Sequence, residues 1–131
     1  MKYNELGRYS EGIANMVDWN YTTYIRTYYK LKPNLVVKWS EKLIRCKNIH
    51  GLFVAVEPDQ SQNMNHLHIA FAATSPITQK GVMRSLNIHD KRHIGNIEII
   101  KEKTQIIQYI SKHIINQKRC INDHHDIFFK T

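Results

Sequence analysis

Leu52-Phe53-Val54-Ala55-Val56-Glu57 and Asn65-His66-Leu67-His68-Ile69-Ala70-Phe71-Ala72 are the two stretches whose reading decides the fold. The first is a short apolar run of the kind a buried strand uses. The second reads as the next strand, and the polar residues 58–63 between them read as a loop. Side chains alternate across a strand. Leu67, Ile69 and Phe71 therefore share one face, and His66, His68 and Ala70 the other. Phe53, Ala55 and Glu57 share a face by the same rule. If the two strands form a hairpin across the loop, Glu57 falls beside His66.

Outward from this pair, residues 21–29 are dense in Tyr, Thr and Ile, which favour strands. Pro33 opens a helical pattern to about Lys47, with Leu35, Val36, Trp39, Leu43 and Ile44 at helical spacing. Residues 78–86 read as a helix containing Gly81, and residues 94–100 as a fourth strand. Thr104 suits a helix N-cap, and that helix runs to about Gln117. Residues 1–18 read as a loop with a short helix, and residues 118–131 carry no assignment. The order β-α-β-β-α-β-α predicts an α+β domain, an antiparallel sheet with helices packed on one of its faces. At 131 residues the chain, 1–131, reads as a single domain.

Nineteen Lys and Arg against eleven Asp and Glu give a net charge of +8, which suits a polyanionic partner such as nucleic acid. No Gly-rich phosphate loop suggests ATP hydrolysis. Cys46 and Cys120 form no C-x-x-C, so neither a disulfide framework nor a zinc knuckle follows. Two reduced thiols in a cytoplasmic protein are expected. Residues 1–12 lack the apolar stretch of a signal peptide, and no apolar run has membrane-spanning length, so no membrane partner is expected.

His66 and His68 present two imidazoles on one strand face, where both reach a single ion. Glu57 is the candidate third ligand. Asp59, in the loop, is its rival. A His-His-Glu set with open positions suits Mn²⁺ or Mg²⁺ bound with water and a phosphate oxygen. The alternative is a pair of solvated strand histidines in a chain that has eight. On the last helix Ile106, Ile107, Ile110 and Ile114 make an apolar stripe. Gln105, Tyr109, Lys112 and Asn116 run beside it as a polar stripe. Tyr109 thus sits at the core border, one turn from Lys112, where its hydroxyl can face a cleft. Packing tyrosine and solvated lysine is the alternative for that pair.

The segment from Phe53 to Phe71, with Glu57 and His66-Leu67-His68, resembles the His-hydrophobe-His motif of the HUH endonucleases. Tyr109-Ile110-Ser111-Lys112 is similar to their Tyr-x-x-Lys motif. The two motifs and the segment joining them cover about half of the chain. The likeness is greatest to the small single-tyrosine replication initiators, or Rep proteins, of rolling-circle viruses, phages and plasmids. It implies a ferredoxin/RRM-like HUH fold. It implies that His66, His68 and Glu57 bind a divalent metal, Mn²⁺ or Mg²⁺. Tyr109 would attack single-stranded DNA at a replication origin and stay joined to the 5′ phosphate. The freed 3′ hydroxyl would prime replication, and Lys112 would assist near the scissile phosphate. A separate helicase and a host polymerase are implied partners, since no helicase domain accompanies the motifs. With one tyrosine, circle closure needs a second subunit, hence a possible homodimer, or a second pass.

The family's first motif would fall on Tyr21-Thr22-Thr23-Tyr24-Ile25, but the match there is too loose to transfer roles. His113 lies one turn from Tyr109 and is a lesser candidate for the site. His124 and His125 read as an exposed tail feature. A single-tyrosine HUH transposase is the nearest rival, although its third ligand comes from near the tyrosine helix. A non-catalytic basic module is the rival from another class, with Tyr21, Tyr24, Tyr28 and Tyr29 as base-stacking residues.

Overall fold

A computed structural model describes residues 10–59, 64–116 and 125–130. Five strands form one antiparallel sheet: β1 (Tyr21–Ile25), β2 (Ile49–Pro58), β3 (Asn65–Ala73), β4 (Glu98–Ile99) and β5 (His125–Phe129). Their spatial order is β4-β1-β3-β2-β5, so β3 lies in the middle with β1 and β2 on its two sides. Helix α1 (Pro33–Ile44), helix α2 (Gln79–Leu86) and helix α3 (Lys103–Asn116) complete the framework, with a 3₁₀ turn at Lys91–His93 and helical residues at 10–14. The α+β class follows directly. No helix of the described residues is long and apolar enough to cross a membrane.

Local chemistry explains where the helices begin and end. Pro33 occupies the first turn of α1, where its missing N–H is not required. Thr78 caps α2, its Oγ1 accepting from the Gly81 N–H at 3.0 Å. Asn87 ends α2 in the left-handed conformation, φ 57°, which Asn tolerates better than most residues. The last helix starts at Lys103, so Thr104 lies inside it rather than at its cap.

The expected placement of all helices on one face is corrected by the structure. Leu52, Val54 and Val56 of β2, with Leu67, Ile69 and Phe71 of β3, face α1 and α2 through Val36, Trp39, Leu43, Val82 and Leu86. Phe53, Ala55, Ala70 and Ala72 face the opposite way, against Ile13, Ala14, Trp19, Ile107 and Ile110. The reason is in β2 itself. Five consecutive apolar side chains, Leu52 to Val56, are all at most 3% exposed, so both faces of the strand need cover.

Two strands are shorter than the sequence predicts. β1 stops at Ile25, and the Thr27 hydroxyl donates to the Tyr29 carbonyl at 2.6 Å as the chain turns. The fourth strand reduces to Glu98–Ile99, with Ile94 making only an isolated bridge to Ile25. The unassigned C-terminal region supplies a strand instead. His125 opens β5 opposite Ala55, which corrects its reading as a tail feature. His124 lies outside the described residues.

Asparagine side chains clamp the central strand at both ends. Asn65 Oδ1 accepts from the Leu31 N–H at 2.7 Å, and Asn65 Nδ2 donates to the Leu31 carbonyl at 2.9 Å. At the far end, Asn20 Nδ2 donates to the Ala73 carbonyl at 2.8 Å, and Asn20 Oδ1 accepts from the Ala73 N–H at 3.0 Å. The strand carrying the two histidines is thereby fixed along its length.

Candidate metal centre

The hairpin register pairs Glu57 with His66 and Ala55 with His68. Alternation then puts Glu57, His66 and His68 on the face that α3 covers, at the end beyond the Phe53–Ala55–Ala70 packing. Glu57 Oε2 lies 2.9 Å from His68 Nε2 and 3.2 Å from His66 Nε2. The two imidazole Nε2 atoms are 3.0 Å apart. A hard divalent ion with donors at about 2.1 Å needs neighbouring octahedral donors about 3 Å from one another. The three separations meet that requirement, so the trio fits one face of such an ion and leaves its remaining positions for water or an oxyanion. No other group of described His, Cys, Asp or Glu residues has this grouping.

Asp59 takes a different part from the one expected of a rival ligand. Its Oδ1 is 2.8 Å from His66 Nδ1, the ring nitrogen that faces away from Glu57 and His68. It therefore holds the back of a candidate ligand. Arg26 reaches the same corner, with Nη2 3.2 Å from His66 Nδ1 and Nη1 3.6 Å from Asp59 Oδ2. The Asp59 N–H donates to the Met64 carbonyl at 2.8 Å, fixing the base of the hairpin loop.

Tyr109 stands over the trio from α3. Its ring meets that of His68 edge-on, 5.5 Å between centroids and 87° between planes. The ring is half exposed, while the neighbouring Ile107 and Ile110 are buried. The isoleucines anchor the helix on the sheet and leave Tyr109 at the border, as the stripe predicts. Lys112 and His113 belong to α3, but their side chains lie outside the described residues.

A cleft of about 530 Å³ opens here, lined by Tyr24, Arg26, Glu57, His66, His68, Arg92 and Tyr109. Tyr24 pairs with His68 across β1 and β3, so alternation brings Arg26 to the level of His66. Arg92 enters from the 3₁₀ turn, its guanidinium forked onto Asp90 at 2.8–3.2 Å. This fork holds the Asp90 carboxyl well below the usual carboxylate range and raises Arg92 above its ordinary value. No family model, curated protein or solved structure matches this chain. The cleft brings together a Glu-His-His group that could hold a metal ion, the phenol ring of Tyr109 and two guanidinium groups, a residue type suited to phosphate.

Sequence reasoning singled out Glu57, His66, His68 and Tyr109, and these four line one cleft. It missed Arg26 and Arg92. Arg26 was legible in principle, because Thr22, Tyr24 and Arg26 alternate on one strand face once β1 is paired with β3. Arg92 carries no local signal, since a 3₁₀ turn distant in sequence delivers it.

Proposed function

We propose that this protein is a metal-dependent endonuclease of the HUH type that nicks and rejoins single-stranded DNA, with Tyr109 as nucleophile. The observation that carries the reading is the Tyr109 ring standing edge-on to His68 in the cleft that also holds Glu57 and His66. The sheet order β4-β1-β3-β2-β5 is compatible with the ferredoxin/RRM-like arrangement that the resemblance implies.

Glu57, His66 and His68 would hold Mn²⁺ or Mg²⁺, and the ion when bound polarises a phosphodiester oxygen. Tyr109 Oη forms a bond to phosphorus as the bond from phosphorus to the 3′ oxygen breaks. The phenolic proton leaves to solvent, and the departing 3′ oxygen is protonated from solvent, so the exchange consumes no water. The 5′ phosphate stays on the tyrosine. Reversal by a 3′ hydroxyl rejoins the strands. Arg26 and Arg92 line the same cleft and would steady the phosphates of the strand, and Lys112 takes the assisting role that the resemblance gives it.

Initiation of rolling-circle replication at an origin is the role we assign to this chemistry, with a separate helicase and a host polymerase continuing it. The position of Glu57 on the strand beside the histidines, and not on the tyrosine helix, favours an initiator over a transposase. A binding module without catalysis is the second reading. It is favoured by the exposure of Tyr24, Tyr28 and Tyr29, which are 43%, 70% and 51% accessible.

The test is covalent trapping. Wild type incubated with Mn²⁺ and pooled single-stranded oligonucleotides should give a denaturant-resistant protein–DNA band, with peptide mapping placing the DNA on Tyr109. Tyr109→Phe keeps the ring and removes the attacking oxygen, so it should fold, bind DNA and give no band. An adduct that persists in Tyr109→Phe refutes the assignment. Cleavage without any adduct points to attack by water, and binding without cleavage favours the module.

A further inference from the structure

We propose that Asp59 is the positioning residue of the metal centre, selecting the tautomer of His66 that can bind a cation. This rests on the metal-centre part of the proposed function and on no later step of it. An imidazole offers a lone pair at one nitrogen only when the other carries the proton. Nε2 of His66 is the atom that faces Glu57 Oε2 and His68 Nε2, at 3.2 and 3.0 Å. Nδ1 must therefore carry the hydrogen.

Two groups compete at Nδ1. Asp59 Oδ1, at 2.8 Å, is an acceptor and requires Nδ1–H. Arg26 Nη2, at 3.2 Å, is only a donor and would require the opposite tautomer, with the proton on Nε2 and the ligand position blocked. Without a metal, Glu57 Oε2 at 3.2 Å from Nε2 is a second acceptor that favours that same opposite tautomer. The contact to Asp59 is the shortest of the three and charge-assisted, and it decides for Nδ1–H. Asp59 is itself held on two sides: its N–H donates to the Met64 carbonyl at 2.8 Å, and its Oδ2 faces Arg26 Nη1 at 3.6 Å. A carboxylate behind a metal-binding histidine both orients the ring and raises its donor strength. The position has a sequence logic: Asp59 lies two residues beyond Glu57, so one hairpin end supplies a ligand and the group that orients its partner.

The test uses the full chain without DNA, with Mn²⁺ alone as the probe. Titration followed by electron paramagnetic resonance should show affinity for Asp59→Ala lowered about 10- to 100-fold relative to wild type. Asp59→Asn retains an acceptor oxygen of the same reach and should recover part of that loss. Nitrogen-15 spectra of the metal-free protein should show Nδ1–H at His66 in wild type. Asp59→Ala should move it toward Nε2–H. Wild-type Mn²⁺ affinity in Asp59→Ala, or an Nε2–H wild type, overturns the inference while leaving the tyrosine chemistry standing. Mn²⁺ loosened by Asp59→Ala, with no tyrosine adduct in wild type, overturns the nuclease reading and leaves this one intact. A wild type that takes up no Mn²⁺ overturns both.

Discussion

Replacing Asn65 by Ala should destabilise the domain by about 2–4 kcal/mol, although the side chain belongs to no catalytic group. Asn65 is 2% exposed and so is Leu31, whose N–H and carbonyl it satisfies at 2.7 and 2.9 Å. Alanine removes both bonds and strands both backbone groups away from water. A buried group left in this way costs about 1–3 kcal/mol, and because the two bonds share one partner their losses overlap. For a chain of this size each kcal/mol moves the thermal midpoint by about 3–5 °C, so a fall of about 6–20 °C is expected. Asn65→Asp makes the sharper comparison. It keeps the acceptor for the Leu31 N–H but sets a carboxylate against the Leu31 carbonyl, so it should be no better than alanine. Urea unfolding followed by tryptophan fluorescence, fitted for wild type and both variants, gives the values. A loss below about 0.5 kcal/mol in Asn65→Ala, or an Asp variant as stable as wild type, refutes the clamp.

His68→Ala removes one of three donors and should weaken Mn²⁺ binding at least about 100-fold, since groups merely behind a ligand are worth about 10–100-fold; calorimetric titration with unchanged affinity would remove the site. Gly95→Ala would drive a Cβ into the Tyr24 ring, which is 43% exposed and would swing aside, displacing a wall of the cleft; a shifted Tyr24 ring resonance checks this, and an unchanged one refutes it. The depressed Asp90 carboxyl makes its contribution above the ordinary carboxylate value of about 3.9, and that contribution is lost only as pH falls through the lower folded value. Carbon-13 titration should therefore find Asp90 still ionised at pH values where other aspartates are half protonated, and Arg92→Ala should return it to the ordinary range.

The legible and the hidden parts of this molecule differ in what carries their signal. The β2–β3 hairpin was readable because alternation and a polar interval are local, and the register pairing Glu57 with His66 follows from them. The border position of Tyr109 was readable from one helix turn. The two-sided cover of the sheet was written in Leu52 to Val56, yet an apolar run does not say which helix lies on which face. β5 escaped because Ile127 and Phe128 are divided between the two cores, and that division has meaning only once β2 offers a free edge. Asp59 is the same case within the site. Its loop position looked like that of a distant ligand, and only the ring orientation of His66 gives it a different task.

Alternation along β3 has a last consequence, for error rather than for chemistry. A slip of β3 by one residue would turn every side chain to the opposite face. Leu67, Ile69 and Phe71, each fully buried, would be turned from the aliphatic core to the face where Ala70 and Ala72 now pack, and both imidazoles would be driven into the core they left. Large side chains forced into space shaped for alanine cost about 1–3 kcal/mol each, so the misregistered strand is disfavoured by several kcal/mol before any cost of burying histidine is added. The spacing of the two imidazoles is therefore proofread by residues that never touch them, and the surroundings of the cleft can change without putting that spacing at risk.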